Sequence, residues 1–123
     1  MTQDPVESNP ENYTVVFENE RVRVLEYTDT PGHTSIMHRH PDSVMITASH
    51  FRRRLHSGGA TAGAPGGGEP REMEVELPAG AVRWLPAQEH YGENTGDTDT
   101  HAFFVELKEP NPSGETPGRL GPE

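Results

Sequence analysis

Short segments of alternating polarity, each closed off by proline, glycine or asparagine, set the limits on what this chain can become. In "MEVEL" (73–77), Met73, Val75 and Leu77 fall on one face and Glu74 and Glu76 on the other, the two-residue period of a half-buried strand. "YTVVFE" (13–18) and "RVRVLEY" (21–27) are separated by an Asn-Glu turn, "GAVRWLP" (80–86) follows a Pro-Ala-Gly turn, and "THAFFVELK" (100–108) follows "NTGDTD". No segment carries a helical stripe, and 12 Pro and 13 Gly in 123 residues interrupt any long helix. The pattern predicts a single all-β domain, a small sandwich or barrel, too short for two lobes.

Residues 1–11 and 109–123 are polar and proline-bearing and are expected as flexible tails around a barrel at 12–108. "SGGATAGAPGGGEP" (57–70) has no bulky apolar residue to anchor it and reads as a flexible Gly-rich hairpin loop. The net charge of -10, from 20 acidic against 10 basic residues, argues against nucleic acid and anionic membranes as partners, since both are bound through cationic contacts. No leader pattern opens the sequence, and no apolar run approaches the ~20 residues of a membrane helix. The absence of cysteine rules out a disulfide framework and suits a cytoplasmic protein.

The segment "IMHRHPDSVMITASH" (36–50) places His38 and His40 one residue apart. In a strand spanning 34–40, Thr34, Ile36, His38 and His40 share one face and Ser35, Met37 and Arg39 the other. The apolar Ile36 marks the histidine face as the inner one. Each buried ring nitrogen needs a hydrogen bond or a ligand, and a divalent metal would satisfy both rings at once.

Gly32, five residues, His38, Arg39 and His40 form one spacing; Gly80, five residues, Pro86, His90 and Asn94 in "GAVRWLPAQEHYGEN" (80–94) form a second. Their order is that of the two motifs of the cupin superfamily, and on these residues the chain resembles a small single-domain monocupin over nearly all of 13–108. The resemblance implies a double-stranded β-helix, the jelly-roll β-barrel of that family. There are two departures. "HPDSVM" carries Ser43 about where the first motif usually supplies a glutamate ligand, and the second motif is one residue short between Pro86 and His90, with Gln88 near an expected glycine.

What the resemblance then implies is a metal site of His38, His40 and His90 with open positions for water or substrate; the alternative is a cupin that has lost its metal. Three neutral imidazoles leave a divalent ion its full charge, which favours Lewis-acid chemistry and anionic, chelating substrates. Imidazole suits Zn, Cu, Fe and Ni alike. Three-histidine cupins include cysteine dioxygenases and diketone-cleaving dioxygenases, which use Fe(II) and O₂, so the resemblance implies Fe(II) first, with Zn, Ni, Mn or Cu as alternatives.

Gln88, two residues before His90, is a candidate catalytic or substrate-binding group or fourth ligand, or else a turn residue bonding backbone. His101 shares a face with Phe103, Val105 and Leu107 and could reach the interior as a general base, or be a satisfied core histidine. Arg53, in phase with Phe51 and Leu55, is either a clamp for a substrate carboxylate or an arginine that is solvated or paired with acidic neighbours. Trp84 and Phe103 are core residues, or at most substrate-pocket walls. Asp42 either orients an imidazole or starts a turn after Pro41.

The expected function is a metal-dependent monocupin acting as a non-haem iron dioxygenase-like oxidoreductase on a small oxygen-rich molecule. The alternatives are a non-redox Zn or Ni isomerase or cyclase, and a non-catalytic small-ligand-binding cupin. Exposed strands that need covering suggest a homodimer.

Overall fold

The computed structural model describes residues 4–57 and 71–109. Among them the chain forms one short helix, α1 (Pro5–Ser8), and the strands β1 (Tyr13–Glu18), β2 (Val22–Asp29), β3 (His38–His40), β4 (Ser43–Thr47), β5 (Phe51–Ser57), β6 (Arg71–Leu77), β7 (Val82–Leu85), β8 (Gln88–Asn94) and β9 (Thr100–Leu107). They pair antiparallel into a five-stranded sheet, β1-β2-β9-β4-β7, and a four-stranded sheet, β3-β8-β5-β6. This is the double-stranded β-helix that the alternating segments and two histidine motifs predict. Beyond Ser57 the Gly-rich loop, and beyond Glu109 the C-terminal tail, lie outside the described residues.

The core draws on both sheets. Tyr13, Leu25, Tyr27, Met45, Leu85, Ala102 and Phe104 come from the five-stranded sheet, and Phe51 and Leu77 from the other. Gly32 and Gly80, with φ of 89° and 83°, turn the chain just before each histidine motif, in the left-handed region where a side chain would be strained.

The N-terminal segment departs from the expected tail. The Asp4 carboxylate caps α1 by accepting from the Val6 N–H, Pro5 takes the first turn, and Asn9 is buried. The Asn9 amide accepts from the Ile36 N–H (2.8 Å) and donates to the Ile36 carbonyl (3.1 Å). These polar residues satisfy the backbone of an irregular stretch rather than facing water.

That stretch explains a second difference. Residues 34–40 are not one strand; only His38–His40 pair as β3, with an isolated bridge at Thr34. Ile36 is 64% exposed while Ser35 is buried, because the Ser35 hydroxyl and the Gly92 backbone bond each other. The histidines do face inward, but Ile36 is not what puts them there.

Candidate metal centre

β3 and β8 set the histidines together through strand register. His38 lies directly opposite His90, and His40 opposite Gln88, so the alternation of the pleat puts all three imidazoles on the inner face. All three are buried, their ring centroids 4.9 to 5.3 Å apart. One nitrogen from each comes within 4.8 Å of the others.

The second nitrogen of each ring decides what the first can do. His38 Nδ1 sits 2.7 Å from the Ile36 carbonyl, His90 Nδ1 2.8 Å from Gln88 Oε1, and His40 Nδ1 2.9 Å from Glu106 Oε2. Carbonyl and carboxylate oxygens only accept, so each Nδ1 must carry the proton and donate. Each Nε2 is left as a lone-pair donor, the arrangement in which metal-bound imidazoles are held. For two of the rings the neutral form is enforced: burial first, then the neighbouring His40, lowers His38 to about 3. Burial with His40 and His38 holds His90 well below the ordinary histidine range. The donor set therefore fits a divalent metal through His38, His40 and His90.

The opposite sheet supplies the rest. Tyr13 Oη lies 3.3 Å from His38 Nε2 and 3.2 Å from His40 Nε2, and burial keeps its phenol protonated far above the usual range. Glu106, on the inner face of β9, also takes two bonds from Arg23 (3.0 and 2.7 Å), and Arg23 pairs in turn with Asp4. A chain of alternating charge thus runs from the surface to His40.

No family model matches the sequence, and no curated protein does. Among solved structures, the fold is similar to a cupin domain from Bordetella pertussis Tohama I, at 26% identity over 79% of this chain and 92% of that one, with a TM-score of 0.63. The chain folds as a small cupin. Its fold is similar, too, to a Klebsiella pneumoniae protein with a double-stranded β-helix domain (21% identity, 77% of this chain and 74% of that one, TM-score 0.55). A third similarity is to a variant of Bacillus subtilis oxalate decarboxylase (24% identity, 70% and 21%, TM-score 0.50). Shared fold does not settle reaction; the side chains of this cupin must do that.

A narrow cavity of about 50 Å³ adjoins the histidines, lined by His38, His90, Tyr13, Tyr27 and Arg53 among apolar walls. That is room for a few water-sized groups. Arg53 is buried on the face that its alternation with Phe51 and Leu55 implies; it is not solvated but paired with an acidic neighbour, as the plainer of the two sequence readings allows. Its guanidinium pairs with Asp29 and bonds Thr100 Oγ1 (3.0 Å) and Tyr27 Oη (3.2 Å). It fits because β8 has no side chain at Gly92: a Cβ there would meet Arg53 Nη2 at 2.8 Å. Held on three sides, the guanidinium cannot swing away, so Gly92→Ala is expected to cost about 1–3 kcal/mol, measured by chemical denaturation.

Several sequence candidates lie elsewhere in this cupin. His101 and Phe103 are on the outer face of β9, where only Thr100, Ala102, Phe104 and Glu106 point inward; His101 Nε2 pairs with Glu26 at 2.7 Å. Neither can serve as a general base or a pocket wall. Trp84 faces outward from β7, 37% exposed. Gln88 accepts from His90 Nδ1 and donates to the Pro86 carbonyl, so it positions His90. Ser43 is fully buried on β4, opposite Glu106 in register, its hydroxyl without a hydrogen-bond partner among the described residues. Asp42 bonds the Ala87 N–H as a turn residue and does not touch an imidazole; Glu106 orients His40 instead. Replacing that carboxylate, Glu106→Gln, is expected to weaken Zn(II) or Fe(II) affinity about 10–100-fold in a chelator competition titration.

Proposed function

We propose that this cupin is a mononuclear metal enzyme of the non-haem Fe(II) oxygenase type, acting on a small anionic, oxygen-bearing molecule. The observation that carries the reading is the convergence of three Nε2 lone pairs whose Nδ1 protons are all committed to acceptors. His38, His40 and His90 would hold the ion. With three neutral ligands, the ion supplies an undiminished positive charge that polarises bound oxygen atoms, and iron adds one-electron chemistry with O₂.

The chain's own residues do the remainder. Tyr13 Oη, beside two of the ligand nitrogens, holds a proton that it can donate to a substrate oxygen, the role that the sequence suggests for His101. Arg53 places a fixed positive charge on the cavity wall, suited to a carboxylate, while Asp29 fixes its direction. Tyr27, Phe51, Leu85 and Phe104 line the rest and keep bulk water out of a space too small for an aromatic ring system.

The test is elemental analysis of protein purified anaerobically without added metal, followed by O₂ uptake with small thiols, diketones and 2-oxo acids that carry a carboxylate. Stoichiometric iron with substrate-dependent O₂ uptake supports the reading. Stoichiometric zinc or nickel with no O₂ uptake replaces it by isomerase or cyclase chemistry at the same residues. Protein that neither retains nor takes up metal overturns it.

A further inference from the structure

The carbonyl that fixes the His38 ring does not belong to a strand. Ile36 lies in the irregular stretch before β3 and is 64% exposed, yet its C=O accepts from His38 Nδ1 at 2.7 Å. A loose carbonyl would leave the imidazole free to turn. What holds it comes from the N-terminal segment: Asn9 Oδ1 accepts from the Ile36 N–H (2.8 Å) and Asn9 Nδ2 donates to the Ile36 carbonyl (3.1 Å). The side-chain amide takes the place of a strand partner. Asn9 Nδ2 and His38 Nδ1, 3.4 Å apart, converge on one oxygen whose two lone pairs accept both.

Asn9 is itself held by the backbone on each side. Its N–H donates to the Pro5 carbonyl at 2.8 Å, and its carbonyl accepts from the Asn12 and Tyr13 N–H groups at 3.1 and 3.0 Å, which leads the chain into β1. Pro5 is fully buried and Val6 packs against the core, so the segment is tied down where a terminus would otherwise fray. Asp4 reaches a second histidine from the same segment. It pairs with Arg23 at 2.6 Å, Arg23 pairs with Glu106 at 2.7 Å, and the other Glu106 oxygen accepts from His40 Nδ1 at 2.9 Å. The two ends of one short segment thus orient two of the three imidazoles by separate routes.

We propose that the segment from Asp4 to Asn9 is a positioning element of the metal centre, with Asn9 orienting His38, so that docking of the segment and loading of the histidines strengthen each other. This coupling rests on the divalent ion proposed above at His38, His40 and His90. It is reciprocal: whatever factor undocking costs in metal affinity, loading must return in docking. Bonds behind a metal-bound imidazole are typically worth about 10–100-fold in affinity. The same factor should appear at the Ile36 N–H, which Asn9 shields and which local opening of the segment would release to water.

The test uses the full chain with Zn(II) as the probe. Hydrogen exchange at the Ile36 N–H is compared between the apo and Zn(II)-saturated wild type, and Zn(II) affinity is measured by chelator competition in the wild type, Asn9→Ala and Asn12→Ala. Asn12 is the control, since its side chain donates to the Thr28 carbonyl on β2. Zn(II) should slow Ile36 exchange by about tenfold or more, while the Asn19 N–H in the β1–β2 turn keeps its rate. Affinity should fall about 10–100-fold in Asn9→Ala and hold in Asn12→Ala. The visible spectrum of the Co(II)-loaded protein, which reads ligand geometry rather than fold, should change in Asn9→Ala alone. Ile36 exchange indifferent to bound Zn(II), or a folded Asn9→Ala that binds Zn(II) as tightly as the wild type, overturns the coupling and leaves the three-histidine site standing. A wild type that binds no Zn(II) overturns both. Should Asn9→Ala fail to fold, exchange in the wild type decides alone.

Discussion

His90→Ala protein is expected to lose its metal while keeping its fold. His90 provides one of three Nε2 donors and contributes nothing to the apolar core, so the deletion removes a ligand without removing a keystone of packing. Affinity should fall more than 100-fold, beyond the about 10–100-fold typical of changes behind the ligands. The consequence shows in stability as well as in metal content. A metal present at 1,000 times its dissociation constant adds about 4 kcal/mol to the folded state. A 100-fold weaker site loses about 2.7 kcal/mol of that. The decisive comparison is thermal denaturation with and without metal: the wild type should gain strongly on loading, the variant little, and the two apo proteins should lie close together. His50→Ala is the control, since His50 is exposed and paired with Glu76 away from the site. A variant that binds one metal as tightly as the wild type would remove His90 from the ligand set.

The three clustered histidines were legible because they obey local rules. His38 and His40 are two apart, so one face of any strand holds both, and the second motif places His90 in a strand that must pair somewhere nearby. What surrounds them was not legible, because it is set by chain separation. Glu106 is 66 residues from His40 and Tyr13 is 25 from His38; only the packing of one sheet on the other joins them. Face assignment failed for a different reason. Along β9 both faces are apolar, Phe103 and Val105 on one, Ala102 and Phe104 on the other, so alternation gives the period and not the phase. The larger set faces outward, as do Trp84 and Ile36. Where a chain keeps hydrophobic residues on its surface, the usual reading of apolar as inner turns inside out. That single cause puts His101 and Phe103 on the outer face, where the sequence reading expects the inner one.

Asp29→Ala should be the most destabilising single change at the cavity, costing about 3–5 kcal/mol, because it strands a buried cation. The Asp29 side chain has no exposed surface. It accepts from Tyr27 Oη, from Arg53 Nη1 and from Asn94 Nδ2 at 3.0 Å. Without it the Arg53 guanidinium keeps, among the described residues, only Thr100 and Tyr27, neither of them charged. In a domain of this size the loss corresponds to a fall in Tm of well over ten degrees, at about 4–8 °C per kcal/mol. Acid should bring the two proteins together. Burial works to raise the Asp29 carboxyl, but the Arg53 charge and the bonds from Tyr27, Arg53 and Asn94 outweigh it and hold it below its ordinary value of 3.8. A carboxyl lowered in the folded state stabilises fully above its unfolded value. That contribution fades as pH falls from near 3.8 through the lower native value, so the gap between wild type and Asp29→Ala should be full at neutral pH and shrink below pH 4. Replacing the pair together, Asp29→Leu with Arg53→Met, removes both charges and should recover much of the loss, since well-packed apolar groups often match a buried ion pair. The double variant then separates structure from function: a folded protein that still binds metal but no longer binds a small carboxylate would place Arg53 in substrate recognition. Undiminished carboxylate binding would confine the pair to holding the two sheets together.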